Sequence, residues 1–318
     1  MKLLIVTGKF QYQKNPENLT ELPYRIPNNQ FENEGWKVLT IFDMPSITIN
    51  NLLEKVGEIP TTILVWMNFY YLYNNLNFLK RNRKRHGIKI CWYFDDLHAN
   101  IKNKIKILSY IDVILNSYEY ALKMYYPIPD EKKTYWFPHY VNEMLLSEIT
   151  FNNNPIQKIL VSGNPAIQFY PARSKIYTFT EKYKCIEILS HPGYKRTQYH
   201  NICGENYYKH LNKYLCCFTC CAIPQRPYIV AKFFEIISTG SLLLAFDIHV
   251  KSELKKLGFI EDVNYISCTM ENMEEKINFI INIKNKETID KIRYNGFVLS
   301  KQHYLKERVK KFTDYISA

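Results

Sequence analysis

Two doubly wound α/β sheets in tandem are the fold that this 318-residue sequence predicts. Three observations carry that expectation. Eleven short apolar runs recur along the chain, helical patterns separate them, and a polar, turn-rich break near the middle starts the series afresh. The length suits two domains of about 150 residues each. Hydrophobic residues, at 47%, are enough to fill two cores.

The first series of strands is expected at 3–7, 37–42, 62–66, 88–93, 113–116 and 134–137, with helices between them at 71–85 and 101–110. Each strand run is almost continuously apolar, the pattern of parallel strands covered on both faces. A strand–helix alternation of this kind builds a parallel sheet wound in both directions. The chain then turns polar at Phe151-Asn-Asn-Asn-Pro155, the best linker candidate. A second series follows, with strands at 158–161, 185–189, 213–220, 241–246 and 265–267. Its helices are expected at 171–182, 229–239 and 250–257, then at 273–283 and 287–300, with a last amphipathic one at 303–316. The domains are therefore expected at 1–150 and 156–302, with 303–318 as a closing helix. Two Rossmann-like halves of this kind place a ligand cleft outside the carboxyl ends of their strands, where nucleotides bind.

Composition excludes several classes. Only 10 glycines and no low-complexity stretch argue against disorder. The opening Met1-Lys-Leu-Leu-Ile-Val-Thr-Gly8 has too few apolar residues for a signal peptide or a membrane span, and no other run approaches that length. A soluble, cytoplasmic protein is the expectation. Four of the eight cysteines fall in Cys216-Cys217-Phe-Thr-Cys220-Cys221, flanked by Tyr214-Leu215 and Ala222-Ile223. A metal knuckle uses separated Cys pairs on polar turns, so this run reads as a buried strand with thiols acting as small hydrophobes. No metal ligands are assigned.

The formal net charge of +12 favours an anionic partner: a nucleotide diphosphate, a nucleic acid or an anionic membrane. The densest run, Lys80-Arg81-Asn-Arg83-Lys84-Arg85-His86, reads first as a solvated helix end that complements the helix dipole. Its alternatives are a peripheral membrane contact or a nucleic-acid patch, with nucleic acid the less favoured partner.

Familiar nucleotide signatures are absent. The first strand is followed by Thr7-Gly8-Lys9-Phe10 and the first strand of the second half by Ser162-Gly163-Asn164-Pro165. Each has a lone glycine where a dinucleotide fold needs Gly-x-Gly-x-x-Gly, and no Walker A sequence occurs. A nucleotide can still be held by one close glycine, helix amides and basic side chains.

The informative segment runs from Tyr228 to Asp247. On a helix, Ile229, Phe233, Ile236 and Ile237 form a buried stripe, while Lys232 and Glu235, three residues apart, project together. Gly240 supplies the left-handed stop before a wholly apolar strand. Such a charged pair faces either a ligand or its own partner. In the first case Glu235 accepts two hydrogen bonds from a ribose diol while basic groups hold the diphosphate.

This segment resembles the C-terminal signature of GT-B glycosyltransferases, particularly the CgeB-like group. The likeness extends to Glu253-Leu254, Asn264-Tyr265-Ile266, Arg293-x-x-Gly296 and His303-Tyr304-x-x-x-Arg308. Upstream it extends to Trp92-Tyr93-Phe94-Asp95-Asp96 and Phe137-Pro138-His139. The resemblance implies a nucleotide-sugar donor of UDP, GDP or dTDP type in the second domain and an acceptor (glycan, lipid or protein) in the first. It implies no required cofactor and no obligatory metal, and a C-terminal helix packing back on the first domain. By position, Glu235 matches the ribose-binding glutamate, and Gly163 with Asn164 the loop that approaches the phosphates. Pro227 stands where many retaining members carry a second acid, so a retaining outcome is not implied.

The remaining candidates are argued from residue chemistry. Asp95 is assigned to acceptor binding or general-base work; the competing reading for Asp95 and Asp96 is a helix cap, stronger for Asp96. His139 is placed to hydrogen-bond the sugar or polarise the leaving group, and His191 to lie near the base. Arg173 and Arg226 are diphosphate clamps, because guanidinium binds phosphate through two parallel donors; Arg173, inside a helix, is alternatively a surface residue. Three other readings stay open: a nucleic-acid-binding protein, a DNA-base glucosyltransferase, and a UDP-sugar epimerase of the same fold.

Overall fold

The computed structural model describes residues 1–6, 28–95, 97, 100–130, 132–190, 202, 204–222 and 227–318. These residues group into two compact units, one of 1–6, 28–138 and Lys306–Ala318, the other His139–Leu305.

In the first unit, strands β1 (Lys2–Val6), β2 (Trp36–Thr40), β3 (Thr62–Trp66), β4 (Lys89–Phe94), β5 (Val113–Asn116) and β6 (Lys133–Trp136) form one sheet in the order β2-β1-β3-β4-β5-β6. All pairings are parallel. Its helices are α1 (Asn28–Asn33), α2 (Ile49–Val56), α3 (Phe69–Asn74), α4 (Leu76–Arg85), α5 (Ile101–Leu108) and α6 (Glu119–Tyr125). β3 is buried at every position, as its unbroken apolar run requires. The core beneath the sheet is aromatic: Trp66 stacks on Tyr93 at 4.0 Å between ring centres, and Phe31 meets Trp36 edge-on at 5.1 Å.

The second unit repeats the scheme. Strands β7 (Ile156–Ser162), β8 (Ile186–Leu189), β9 (Tyr214–Cys220), β10 (Leu242–Phe246) and β11 (Ile266–Cys268) pair in parallel in the order β11-β10-β9-β7-β8. The helices are α7 (Pro171–Thr178), α8 (Glu205–Asn212), α9 (Lys232–Ser238), α10 (Lys251–Lys256), α11 (Met273–Ile281) and α12 (Lys286–Ser300). The last helix, α13 (Leu305–Ser317), groups with the first unit from Lys306 onward. Its Phe312 ring lies against Trp36 and Tyr135, and Trp36 Nε1 donates to Thr313 Oγ1 at 2.8 Å.

All eleven expected strands form, each within two residues of its expected ends. The helices needed correction. The single helix expected at 71–85 is two, broken at Asn75. There the Asn75 side chain takes the Ile47 amide at 2.6 Å and donates to the Tyr71 carbonyl at 2.8 Å, beside the bond from its own backbone amide to that carbonyl at 3.1 Å. The helix expected from 229 starts only at Lys232, after Tyr228 has bridged to Ala222. β9 is buried throughout, and the described cysteines are all free thiols. Burial pushes Cys217 and Cys221 up to about 12, so both are inert neutral hydrophobes at ordinary pH.

Two of the quoted likenesses are packing devices. Gly296 on α12 lies so close to the chain that a Cβ there would sit 2.7 Å from the Asn264 carbonyl oxygen and 3.3 Å from Ile237. Arg293, 1% exposed, donates to Asp290 at 2.6 Å and to the Asn152 carbonyl at 2.9 Å, with its guanidinium over the Phe151 ring. The stretch expected as a linker is thereby pinned within the second unit. Among the described residues, no helix is long and apolar enough to cross a membrane.

Candidate functional site

In the second sheet, β7 and β9 are neighbours whose following strands, β8 and β10, lie on opposite sides of them. That is the topological switch point, where open parallel sheets bind ligands beyond the strand carboxyl ends. The first residue after β7 is Gly163, with φ +103°, a backbone conformation that L side chains rarely adopt. The glycine also answers a crowding constraint. A Cβ here would stand 3.0 Å from Lys232 Cε and 3.2 Å from both Cζ and an Nη atom of Arg173. Two cations from α9 and α7 therefore close on one bare Cα.

Each cation is fixed by its surroundings. Arg173 is 2% exposed, which removes the surface reading. One Nη donates to the Asn164 carbonyl at 2.9 Å, the other reaches Thr219 Oγ1 of β9 at 3.4 Å, and the guanidinium lies over the Tyr170 ring at 4.3 Å. Its Nε has no hydrogen-bond partner although buried. The fork is thus taken up by the loop and by β9, so Arg173 shapes the Gly163–Asn164 turn and supplies charge. The turn is tightened further by Asn164 Oδ1, which accepts from the Ala166 amide at 3.0 Å, and by the Tyr177 hydroxyl, which donates to the Gly163 carbonyl at 3.3 Å.

Lys232 opens α9, and its Nζ donates to the Tyr207 hydroxyl of α8 at 2.6 Å and lies 3.9 Å from Glu235 Oε2. Tyr207 in turn meets Ser162 Oγ, at the end of β7, at 2.9 Å. Burial alone would lower the Lys232 pKa. The Tyr207 hydroxyl and the Glu235 carboxylate outweigh it and hold the ammonium above its ordinary 10.5. Burial raises Tyr207 as well, so it stays a neutral phenol beside the ammonium. Glu235 is 8% exposed, on a helix whose residues from Phe233 to Ser238 are all buried. Gly240 takes the expected left-handed conformation after it, at φ +74°.

Gly163, Asn164, Arg173, Lys232 and Glu235 thus meet at one strand end, with two cations and one carboxylate among the described residues. The surplus positive charge suits a dianion such as a diphosphate. Tyr207, Ser162, Thr219 and Tyr177 belong to the same cluster and were not anticipated. Tyr207 and Thr219 reach the turn from α8 and β9, an approach for which the sequence carries no signal.

The other candidates stand apart. Asp95 follows β4 directly, at the carboxyl edge of the first sheet, and is partly exposed. His139 lies three residues past the end of β6, also partly exposed, where the second unit begins. Asn100 precedes α5, and Asp96, the favoured cap, lies outside the described residues, as do His191 and Arg226. Among the described residues no group of three or more His, Cys, Asp or Glu side chains could hold a metal ion.

No family model matches the sequence, and no curated protein sequence matches it. Solved structures do. Sucrose-phosphate synthase from Thermosynechococcus elongatus aligns over 99% of this chain and 98% of its own, at 9% identity and a TM-score of 0.58. The Anabaena HepE protein in complex with UDP and glucose aligns over 100% and 99%, at 10% identity and a TM-score of 0.55. A candidate UDP-N-acetylglucosamine 2-epimerase from Listeria monocytogenes aligns over 99% and 95%, at 11% identity and a TM-score of 0.52. The chain spans 58% of the length of the pneumococcal O-GlcNAc transferase GtfA and 57% of TarM. At these identities the likeness establishes the fold, which is that of the GT-B glycosyltransferases. The narrower CgeB-like resemblance gains no support.

Proposed function

We propose that the Gly163 turn of the second unit binds the diphosphate of a nucleoside diphospho-sugar and that the protein is a glycosyltransferase. The observation that carries this reading is the convergence of Lys232 and Arg173 on Gly163 at the sheet's switch point. Lys232 contacts the diphosphate and Arg173 holds the loop and adds its field, so that negative charge developing on the leaving group meets fixed cations. The Glu235 carboxylate accepts from the ribose hydroxyls. An acceptor hydroxyl attacks the anomeric carbon, the bond from that carbon to the diphosphate oxygen breaks, and the hydroxyl proton passes to a base. Asp95 is the base proposed, with His139 as a hydrogen-bond donor to the sugar or the leaving group. The positive charge comes from the protein's own side chains, so transfer is expected to persist in the presence of a chelator.

HepE was solved with UDP and glucose, which makes UDP-sugars the first donors to try, with GDP- and dTDP-sugars beside them. A thermal-shift panel of these donors is expected to pick out one nucleotide. Incubating that donor with glycan, lipid and peptide acceptors, with product masses read out, is expected to show a sugar added to one of them. Conversion of the donor to its epimer with no transfer would replace the transferase reading by the epimerase one.

A further inference from the structure

The most concentrated charge on the described surface lies in the first unit, at the end of its sheet opposite Asp95. The stretch from Leu76 to Ile90 carries six Lys and Arg residues and no acid. Five of them, Lys80, Arg81, Arg83, Lys84 and Arg85, are exposed on α4 and line, with Tyr110, an open cavity of about 810 Å³. A second cavity of about 760 Å³ adjoins it through Arg83 and runs along the strand starts at Lys89, Val113 and Lys133. The one acid there, Asp112, accepts the Ile90 amide at 2.7 Å through Oδ2 and is bound into the sheet.

Helix-dipole complementarity accounts for the basic last turn of α4. It does not account for the apolar cavity beside it. That third cavity, of about 330 Å³, is walled by Ile105, Leu108, Ile114, Pro127, Ile128 and Pro129, and its rim carries Arg83 and Lys132. Arg83 borders all three cavities and donates to the Ser109 carbonyl, which sets its guanidinium where basic and apolar surfaces meet. Ile105 stays 39% exposed at that border.

We infer that this face docks on a bilayer surface containing anionic lipid. Phosphate headgroups are taken by the α4 cations, and apolar chain or glycerol segments by the cavity at Ile105. Cations beside apolar surface fit a membrane interface, where long basic side chains reach headgroups while apolar groups sink below them. A single-stranded nucleic acid would want stacking platforms along a basic groove, and Tyr110 is the sole aromatic lining the α4 cavity. Docking by this face leaves the carboxyl edge of the same sheet, with Asp95, pointing away from the bilayer.

The test is flotation of the full chain with vesicles of phosphatidylcholine alone or mixed with phosphatidylglycerol. Binding is expected only to the mixed vesicles and is expected to weaken as salt is added. The variant K80E/R81E/K84E/R85E should lose at least about tenfold in partitioning. A variant with the same charge change on the second unit, K255E/K284E/K291E/K301E, should keep it. Unchanged melting curves for both would show that neither reversal disturbs the fold. Equal binding to neutral vesicles, equal loss in both variants, or tighter binding of a duplex oligonucleotide through the same four residues would overturn the inference.

Discussion

Replacing Gly163 by alanine is the most discriminating single perturbation of the candidate site. At φ +103° an alanine is strained by about 1–3 kcal/mol. The new methyl would also lie 3.0 Å from Lys232 Cε and 3.2 Å from Arg173 Cζ and Nη. Lys232 can swing aside, because it is the far end of a flexible chain. Arg173 cannot move cheaply, since Asn164 and Thr219 hold both of its Nη atoms. Overpacking of this kind adds about 1–3 kcal/mol, so the total loss is about 2–4 kcal/mol with partial relaxation. A domain of this size would then melt roughly 4–16 °C lower. Moving Lys232 away from the turn should also remove a charge-assisted contact to the diphosphate, weakening donor binding about ten- to a hundredfold. Differential scanning fluorimetry reads the first effect and isothermal titration the second. Unchanged melting would show that the two cations do not crowd Gly163. Unchanged donor affinity in a destabilised protein would show that the turn is structural only.

Other outcomes follow from the same geometry. Lys232→Met should leave the protein folded and weaken donor binding at least about tenfold by titration. Its folded pKa is raised, so any stability the ammonium contributes is complete below pH 10.5 and is lost as pH rises through the higher folded value. The difference in melting temperature between wild type and Lys232→Met should therefore stay flat from pH 6 to about 10 and change only above that. Arg293→Met leaves Asp290 paired with Lys286 alone and the Asn152 carbonyl without its donor, so urea unfolding should show a loss of about 1–3 kcal/mol with donor affinity retained. Gly296→Ala forces a methyl to 2.7 Å from the Asn264 oxygen and should cost about 1–3 kcal/mol in the same assay.

The strands were legible because parallel strands buried on both faces leave continuous apolar runs, of which Thr62–Trp66 and Val113–Asn116 are the plainest. Helix limits were less so. The break at Asn75 depends on the Ile47 amide, 28 residues away, which no local periodicity encodes. α8, which carries Tyr207, was not singled out, because Tyr207 acts through Ser162 and Lys232, 45 and 25 residues distant. The pair Lys232 and Glu235 was readable from its spacing on an apolar helix. Gly163 was readable as a lone glycine after a strand, but the reason for it, two cations crowding one Cα, needed the fold. Arg173 shows the limit most clearly: its sequence position allowed either solvent or phosphate, and packing places it under the turn.

On the proposed reading, the Gly163 turn recognises a diphosphate through fixed cations. Isothermal titration of UDP, UMP and uridine, repeated with GDP and dTDP and their nucleosides, addresses it directly. For the nucleotide that binds, the diphosphate should bind at least about tenfold more tightly than its nucleoside, an advantage that Lys232→Met removes. Equal binding of diphosphate and nucleoside, or an advantage that survives the loss of Lys232, would contradict the assignment.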